Sequence, residues 1–359
     1  MTTNHDSTPG PELPGEPEDQ PRGASRRNAL LIIGGVVVLL LITAGAIGIP
    51  ALLRPNGGQV AQPAGPPTTL PGESAPDGWR TEQYRDVVFQ VPADWGYAYE
   101  PGAAWCAGSD GKNPQPQHRK PYVALGAPQV IPAIACPEMP ASMITEHVAA
   151  IQPADKRADG RFELGNGFWE VTNTVGAVKL RAVSKDADLA QQIVDTGAEA
   201  GKDALCTPEH ALIKDPAARP KPAADVTSFG AVDRVALCQY EIGEGSKGLQ
   251  AAAELSGDKA QRLVDGIAAA PVADPTECKN DPSMNPLDVT AVLRVQSSGT
   301  IREIILRQQG CPEGGDTVLG GFDDGTTVRQ STADTCRAVL VEPLQIQAGS
   351  GSVVQRCRA

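Results

Sequence analysis

Apolar residues recur at every second position near the start of the folded part of the chain, at Val87, Phe89 and Val91. This spacing predicts a strand that buries one face. The residues that follow, PADW at 92–95, predict a turn that ends the strand. Further along, 167–174 and 177–183 have the composition of two more strands. The first folded part of the chain is therefore predicted to contain a sheet.

A helix is predicted directly after these strands. Leu189, Ile193 and Val194 stand at helical spacing. Either Ser184 or Asp186 is expected to be the N-cap, because their side-chain oxygens accept hydrogen bonds from the first turn. Aromatic residues become rare beyond this helix. The pattern therefore predicts a first domain that mixes strands and helices over about 78–200.

The remaining folded sequence, 201–359, carries similar landmarks twice. Strand-like segments lie at 232–238 and 301–307. Cys278 follows Cys206 by 72 positions, and the helix-starting Ser331 follows Ser256 by 75. Matching spacing predicts an internal duplication with repeats at about 203–270 and 276–345. Chance spacing in a chain rich in Ala, Gly and Pro is the alternative.

A membrane segment is predicted at 29–53, where no residue is charged. A helix of this length spans about 37 Å, enough to cross a hydrocarbon core of roughly 30 Å. A cleaved signal peptide ending near the Ala-Gly-Ala triplet at 44–46 is the alternative. More arginines precede the segment than follow it, which predicts a cytoplasmic N-terminus: Arg22, Arg26 and Arg27 against Arg54. Either reading predicts that the chain after residue 54 is extracytoplasmic.

The segments on both sides of this helix are predicted to lack a folded core. Residues 1–28 are rich in Pro, Glu, Gly, Asp and Ser and have few apolar side chains, which predicts a disordered cytoplasmic tail. Residues 54–77 are rich in Pro and Gly, which predicts an extended linker.

The charge balance restricts the class of partner. The chain has 31 Lys and Arg against 43 Asp and Glu, a net charge of −12. Nucleic-acid binding depends on clustered basic side chains that neutralise phosphates, so a nucleic-acid partner is not expected. With four His and no Cys-x-x-Cys pair, neither a metal site nor a cofactor is predicted.

All eight cysteines lie beyond the predicted membrane segment. An even number confined to the exported part predicts a disulfide framework. Many connectivities are open, and the similar loop lengths favour sequential pairing: Cys106–Cys136, Cys206–Cys238, Cys278–Cys311 and Cys336–Cys357.

One group of aromatic residues is a candidate ligand surface. Trp95, Tyr97 and Tyr99 share a parity, so in a strand they would face the same side, and Trp105 follows closely. Such rings, if exposed, could stack on sugar rings. The alternative is that this side belongs to the core of a domain that needs its aromatic residues.

No complete catalytic motif is present. Ser256 and Lys259 match the S-x-x-K nucleophile motif, but its partner motifs are absent and a helix cap explains the serine. Glu313, Asp316, Asp323 and Asp324 cluster in a Gly-rich stretch whose oxygen ligands could hold Ca²⁺, although Asp-Gly is also a good turn. An enzyme acting on wall polymers could use Asp323 and Asp324 together with another acidic residue. Three histidines are predicted to lie on the solvated surface: His118, His147 and His210.

Short motifs in the first domain resemble known domains. The strand leading into VPADW at 91–95, the region around Trp169 and the closing segment AVKLRAVSKDADLAQQIVDTG are similar to elements of PsbP-like and LpqN-like domains. This resemblance implies an α+β domain with a twisted antiparallel sheet, a type found mostly in non-catalytic accessory proteins or lipoproteins. The whole layout resembles single-pass actinobacterial membrane ectodomains without an assigned function, which implies a location and no reaction.

These observations predict an α+β fold with a single N-terminal transmembrane helix. A PsbP-like antiparallel-sheet domain and a disulfide-bonded duplicated α+β region would follow it. The expected function is a non-enzymatic binding or accessory ectodomain of the cell envelope, with a protein or glycan partner. The alternatives are an extracytoplasmic enzyme acting on cell-wall polymers and an accessory subunit of a neighbouring membrane complex.

Overall fold

The computed structural model describes residues 75–100, 120–126, 144–202, 204–242, 248–273, 289–307 and 321–347. The predicted tail, the predicted membrane helix and nearly all of the predicted linker lie outside these residues. Among the helices that are described, none is both long and apolar enough to cross a membrane. The membrane helix at 29–53 therefore stays a prediction.

Strands predominate, with 44% strand against 19% helix, so the predicted mixture of α and β holds with sheets in the majority. The first sheet has three strands in the order β1-β2-β9: β1 (Trp79–Tyr84), β2 (Val87–Pro92) and β9 (Ala198–Glu199). Val87, Phe89 and Val91 are all fully buried. The alternating strand predicted there is confirmed as β2.

The second sheet has six strands in the order β3-β4-β5-β8-β7-β6. They are β3 (Gly96–Tyr97), β4 (Tyr122–Leu125), β5 (Val148–Pro153), β6 (Gly160–Gly165), β7 (Phe168–Val175) and β8 (Val178–Ser184). β7 and β8 confirm the strands predicted at 167–174 and 177–183. β3, β4 and β5 pair in parallel, so the prediction of a wholly antiparallel sheet is wrong at this edge. The long connections after Tyr97 and Leu125 return the chain to the same end of the sheet, as parallel pairing requires.

The third sheet also has six strands, in the order β11-β10-β12-β13-β14-β15. They are β10 (Val232–Glu241), β11 (Gly248–Ser256), β12 (Val289–Ser297), β13 (Thr300–Arg307), β14 (Gly321–Asp323) and β15 (Val328–Arg329). All neighbours pair antiparallel, and β10 and β13 confirm the strands predicted at 232–238 and 301–307. The internal duplication itself stays a prediction.

Within the described residues, five α-helices accompany the sheets: α1 (Ala187–Asp195), α2 (Ala211–Lys214), α3 (Gly257–Ala269), α4 (Ala333–Val339) and α5 (Leu344–Gln347). Asp186, rather than Ser184, caps α1 by accepting from the amides of Asp188 and Leu189. Ser256 occupies the N-cap position of α3 but makes no side-chain capping bond. The start predicted at Ser331 is one residue early, because Thr332 caps α4 in a reciprocal capping box.

The largest hydrophobic cluster of the described residues joins both predicted domains. Phe89 and Leu180 belong to the same cluster as Leu237 and Leu293. The side-chain amide of Gln83 also bonds to the backbone of Cys206, accepting from its N–H at 3.0 Å and donating to its carbonyl at 2.7 Å. The boundary near residue 200 between the two domains stays a prediction, and residues before and after it pack against each other.

Candidate functional site

The predicted aromatic ligand surface is largely part of the core. Trp95 is 6% exposed and lies in the main hydrophobic cluster, and Tyr97 packs against that cluster. Tyr99 is 40% exposed, and Trp105 lies outside the described residues. The prediction of an open aromatic shelf is therefore wrong for Trp95 and Tyr97, and the core alternative describes them correctly.

The local backbone explains why these rings do not share a face. Trp95 belongs to the turn after β2, where its N–H donates to the carbonyl of Pro92 at 3.2 Å. Only Gly96 and Tyr97 form a strand, β3. The parity rule applies within a regular strand, so it cannot relate Trp95 to Tyr99 across the two ends of such a short element.

Tyr97 is held by a buried ionic group. Its hydroxyl donates to Glu82 Oε1 at 2.8 Å, and Arg80 Nε donates to the same oxygen at 2.6 Å. The Arg80 guanidinium also lies 4.6 Å from the centre of the Tyr97 ring. Burial raises the pKa of the Tyr97 hydroxyl, and the Glu82 carboxylate raises it further. Tyr97 therefore remains a neutral hydrogen-bond donor that fixes β3 against β1.

A second ionic group lies immediately beyond Tyr99, and we call it the Arg181 cluster: Glu100, Arg157, Glu170 and Arg181. Arg181 Nε donates to Glu170 Oε2 at 2.5 Å, and Arg181 Nη1 donates to Glu100. Arg157 Nη1 lies 2.6 Å from Glu170 Oε1. Glu170 is only 2% exposed, whereas the Arg157 side chain is 51% exposed. The cluster therefore extends from the sheet to the solvent.

Strand register places the cluster on one face of the second sheet. Arg181 on β8 lies opposite Thr172 on β7 and Ala150 on β5. Glu170 precedes Thr172 by two positions and so faces the same side. The alternate residues of β8, such as Leu180, face the core that α1 covers. One face of this sheet thus packs on the main core, whereas the other carries the Arg181 cluster beside a smaller apolar cluster that includes Phe168 and Val183.

The electrostatics of the cluster favour permanent ion pairs. Burial would lower the pKa of Arg181, but Glu100 and Glu170 outweigh this and raise it. Burial raises the pKa of the neighbouring Tyr122, and Glu100 and Glu146 raise it further. An arginine bridges the two carboxylates, whereas glycosidases use two facing carboxylates separated by substrate or water. The cluster therefore lacks a poised acid–base pair.

Asp323 and Asp324 both accept hydrogen bonds that fix the structure around them. Arg219 holds Asp323 with two nitrogens, at 3.0 and 2.5 Å. Burial would raise the pKa of Asp323, but the bonds from Arg219 and the Gly325 amide outweigh it and hold the pKa below its usual range. Asp324 accepts from the amides of Val226, Thr326 and Thr327 and from the Thr326 hydroxyl. Both carboxylates thus hold the local structure together, and the calcium alternative is not tested because Glu313 and Asp316 lie outside the described residues.

The histidines inside the described stretches are more buried than predicted. His147 Nδ1 lies 3.0 Å from the Ser184 hydroxyl, but Ser184 is fully buried and cannot reach a substrate. Burial lowers the pKa of His147, as does Lys185. His210 caps α2, accepting from the Leu212 amide at 3.2 Å. The surface prediction is therefore wrong for these two histidines, and His118 lies outside the described residues.

The cysteines that the structure describes are all oxidised. The predicted Cys206–Cys238 disulfide is confirmed, and both residues are fully buried. Cys336 is also disulfide-bonded. The pairing of the remaining cysteines stays a prediction, since they lie outside the described stretches: Cys106, Cys136, Cys278, Cys311 and Cys357.

No group of three His, Cys, Asp or Glu side chains able to hold a metal ion occurs within the described ranges. Comparison with protein-family models, curated proteins and solved structures finds no match for this chain.

Proposed function

We propose that this chain is a non-enzymatic binding or accessory module of the cell envelope. One transmembrane helix at 29–53 anchors it, and the folded part lies outside the cytoplasm. The buried Cys206–Cys238 disulfide supports this location, because such bonds persist in oxidising compartments. The resemblance of the first domain to PsbP-like accessory domains and the internal duplication after residue 200 belong to the same proposal.

The state of the buried carboxylates carries the non-enzymatic part of the proposal. Four acidic residues are buried in the described part of the chain: Glu82, Glu170, Asp323 and Asp324. Arginine neutralises three of them, and backbone amides satisfy Asp324. A catalytic carboxyl group must reach the substrate and exchange a proton with it, and a carboxylate held in ion pairs and hydrogen bonds inside the fold does neither. These four carboxylates instead support a role in holding the fold together.

The partner we propose is an envelope protein or glycan that contacts the surface around Tyr99. Tyr99 and Val272 are the exposed large hydrophobic residues of the described structure. Tyr99 is the better anchor, because tyrosine combines a large apolar ring with a polar end. The adjoining Glu100, at the edge of the Arg181 cluster, adds hydrogen-bond acceptors beside the ring.

Binding and hydrolysis are distinguished by incubating the full-length chain with purified cell-wall material and, separately, with solubilised envelope proteins. We expect retention on one of them without release of soluble wall fragments. Tyr99→Ala should weaken retention about fivefold, as loss of an aromatic anchor does, and the control Val272→Ala should leave it unchanged. Sustained release of wall fragments by the unaltered chain would establish the enzymatic alternative instead.

A further inference from the structure

Strand β6 forms an outer edge of the second sheet. Among the described strands it pairs only with β7, and its residues Arg161 and Glu163 are exposed. The backbone groups along an edge that are not bonded within the sheet can pair with another strand. Natural edges are often protected by proline or lysine, and the sequence of β6, GRFELG, contains neither. A register shift between Glu163 and Gly165, of the kind that also protects edges, limits the regular part of β6 to residues 160–163.

The charges along β6 are complementary to a second copy of the same strand. In an antiparallel pair centred on Phe162, Arg161 of one copy lies opposite Glu163 of the other. Two-fold symmetry repeats this contact, so one pairing forms two ion pairs on the same face. The two Phe162 side chains then lie beside each other on the opposite face.

Neighbouring registers lack this complementarity. Centring the pair on Arg161 places two arginines opposite each other, and centring it on Glu163 places two glutamates opposite each other. Like charges at directly opposite positions are destabilising. Registers centred between Arg161 and Phe162, or between Phe162 and Glu163, place each charge opposite Gly160, Phe162 or Leu164 and form no ion pair. The sequence therefore favours one register over its neighbours.

Arg161 is accessible for these contacts, and the Phe162 ring lies on the opposite face, with Arg157 Cζ 4.8 Å from its centre. Arg161 already contacts Asp188 at 3.3 Å, but that pair is open to solvent, with side-chain exposures of 42% and 93%. Such exposed pairs contribute little to stability. Arg161 also lies over the Trp169 ring, 4.9 Å from its centre, which holds its side chain near the sheet edge.

We propose that β6 is a self-association edge, through which two copies of this chain pair antiparallel about Phe162. The strand is short, so the interface is small and the affinity in solution is weak, in the range of transient contacts. If both copies are anchored in one membrane, as the proposed function holds, their effective concentration favours pairing.

Charge reversal tests the register directly. Two differently tagged forms of the full-length chain are co-expressed and purified through one tag, and co-purification of the other is measured. Arg161→Glu or Glu163→Arg in both copies turns two attractions into two repulsions, and should weaken association about thirtyfold. Combining the Arg161→Glu form with the Glu163→Arg form restores both ion pairs and should recover association. Arg262→Glu, on an exposed position of α3, should have no effect.

The recovery also controls for folding, because a misfolded single variant cannot be rescued by a complementary charge. The proposal is overturned if the unaltered copies do not associate. It is equally overturned if either single variant associates normally, or if the mixed pair associates no better than the single variants.

Discussion

Asp324 connects two separate segments of the third sheet region, and its replacement by asparagine tests how that connection contributes to stability. The carboxylate accepts from the Val226 amide at 2.9 Å through Oδ2. Through Oδ1 it accepts from the Thr326 amide at 2.8 Å and the Thr327 amide at 2.7 Å. Asp324 is only 1% exposed, so water cannot replace these bonds.

The expected loss of stability follows from these contacts. Asp324→Asn keeps Oδ1 for Thr326 and Thr327, but these bonds lose the assistance of a negative charge. The new amide group points its own donor at the Val226 N–H, which is left without an acceptor. An unsatisfied buried donor costs about 1–3 kcal/mol, and charged bonds exceed neutral ones by about 1 kcal/mol. We expect the free energy of unfolding to fall by about 3 kcal/mol.

The assay is chemical denaturation of the full-length chain, followed by circular dichroism. Asp334→Asn is the matched control, because the Asp334 side chain is 91% exposed and bonds only to Arg337 within its own helix. Its effect should stay below about 1 kcal/mol. If Asp324→Asn destabilises the protein no more than Asp334→Asn does, the buried bonds to Asp324 do not have the strength assigned to them.

Three further changes test other parts of the fold. Gly325→Ala should destabilise the fold more than Gly299→Ala. Both glycines have positive φ, but a Cβ at Gly325 would lie 2.8 Å from Ala223 Cβ, whereas a Cβ at Gly299 would meet open space. Equal denaturation midpoints would contradict this. The fold holds the pKa of Asp323 low. The ionised Asp323 carboxylate therefore stabilises the fold above about pH 4, and this contribution is lost as the pH falls through the pKa of the folded state. The acid limb of a stability–pH curve should therefore flatten in Asp323→Asn, and an unchanged limb would refute the assignment. Replacing both Cys206 and Cys238 by alanine opens a loop of sequence separation 32 and should lower the free energy of unfolding by about 4 kcal/mol, measured by chemical denaturation. A change near zero would show that the disulfide does not restrict the unfolded chain.

Local patterns predicted the local structure well. Val87, Phe89 and Val91 are buried as the period of two requires, and Asp186 caps the helix that the spacing of Ile193 and Val194 predicts. In these segments the residues that determine the structure lie within a few positions of each other. Local propensity and the buried face therefore favour the same conformation.

Predictions that depended on distant contacts were less successful. Tyr99 was grouped with Trp95 by parity, but β3 ends at Tyr97, and parity has no meaning beyond the end of a strand. The short strand itself depends on its pairing with β4, which lies more than twenty positions away in the sequence. Nothing in the local sequence around Tyr97 contains that information.

The Arg181 cluster shows that a buried ion pair can still be inferred from a hairpin alone. Gly176 and the following residue form the turn between β7 and β8, and Val175 pairs with Val178. Counting along both strands from this turn places Arg181 opposite Thr172. Glu170 lies two positions from Thr172 and so on the same face as Arg181. A glutamate and an arginine on the same face of adjacent strands must pair if that face is buried, because an unpaired buried charge is strongly destabilising. Glu100 could not have been found in this way, since it lies 81 positions from Arg181 and reaches it only through the packing of the whole sheet.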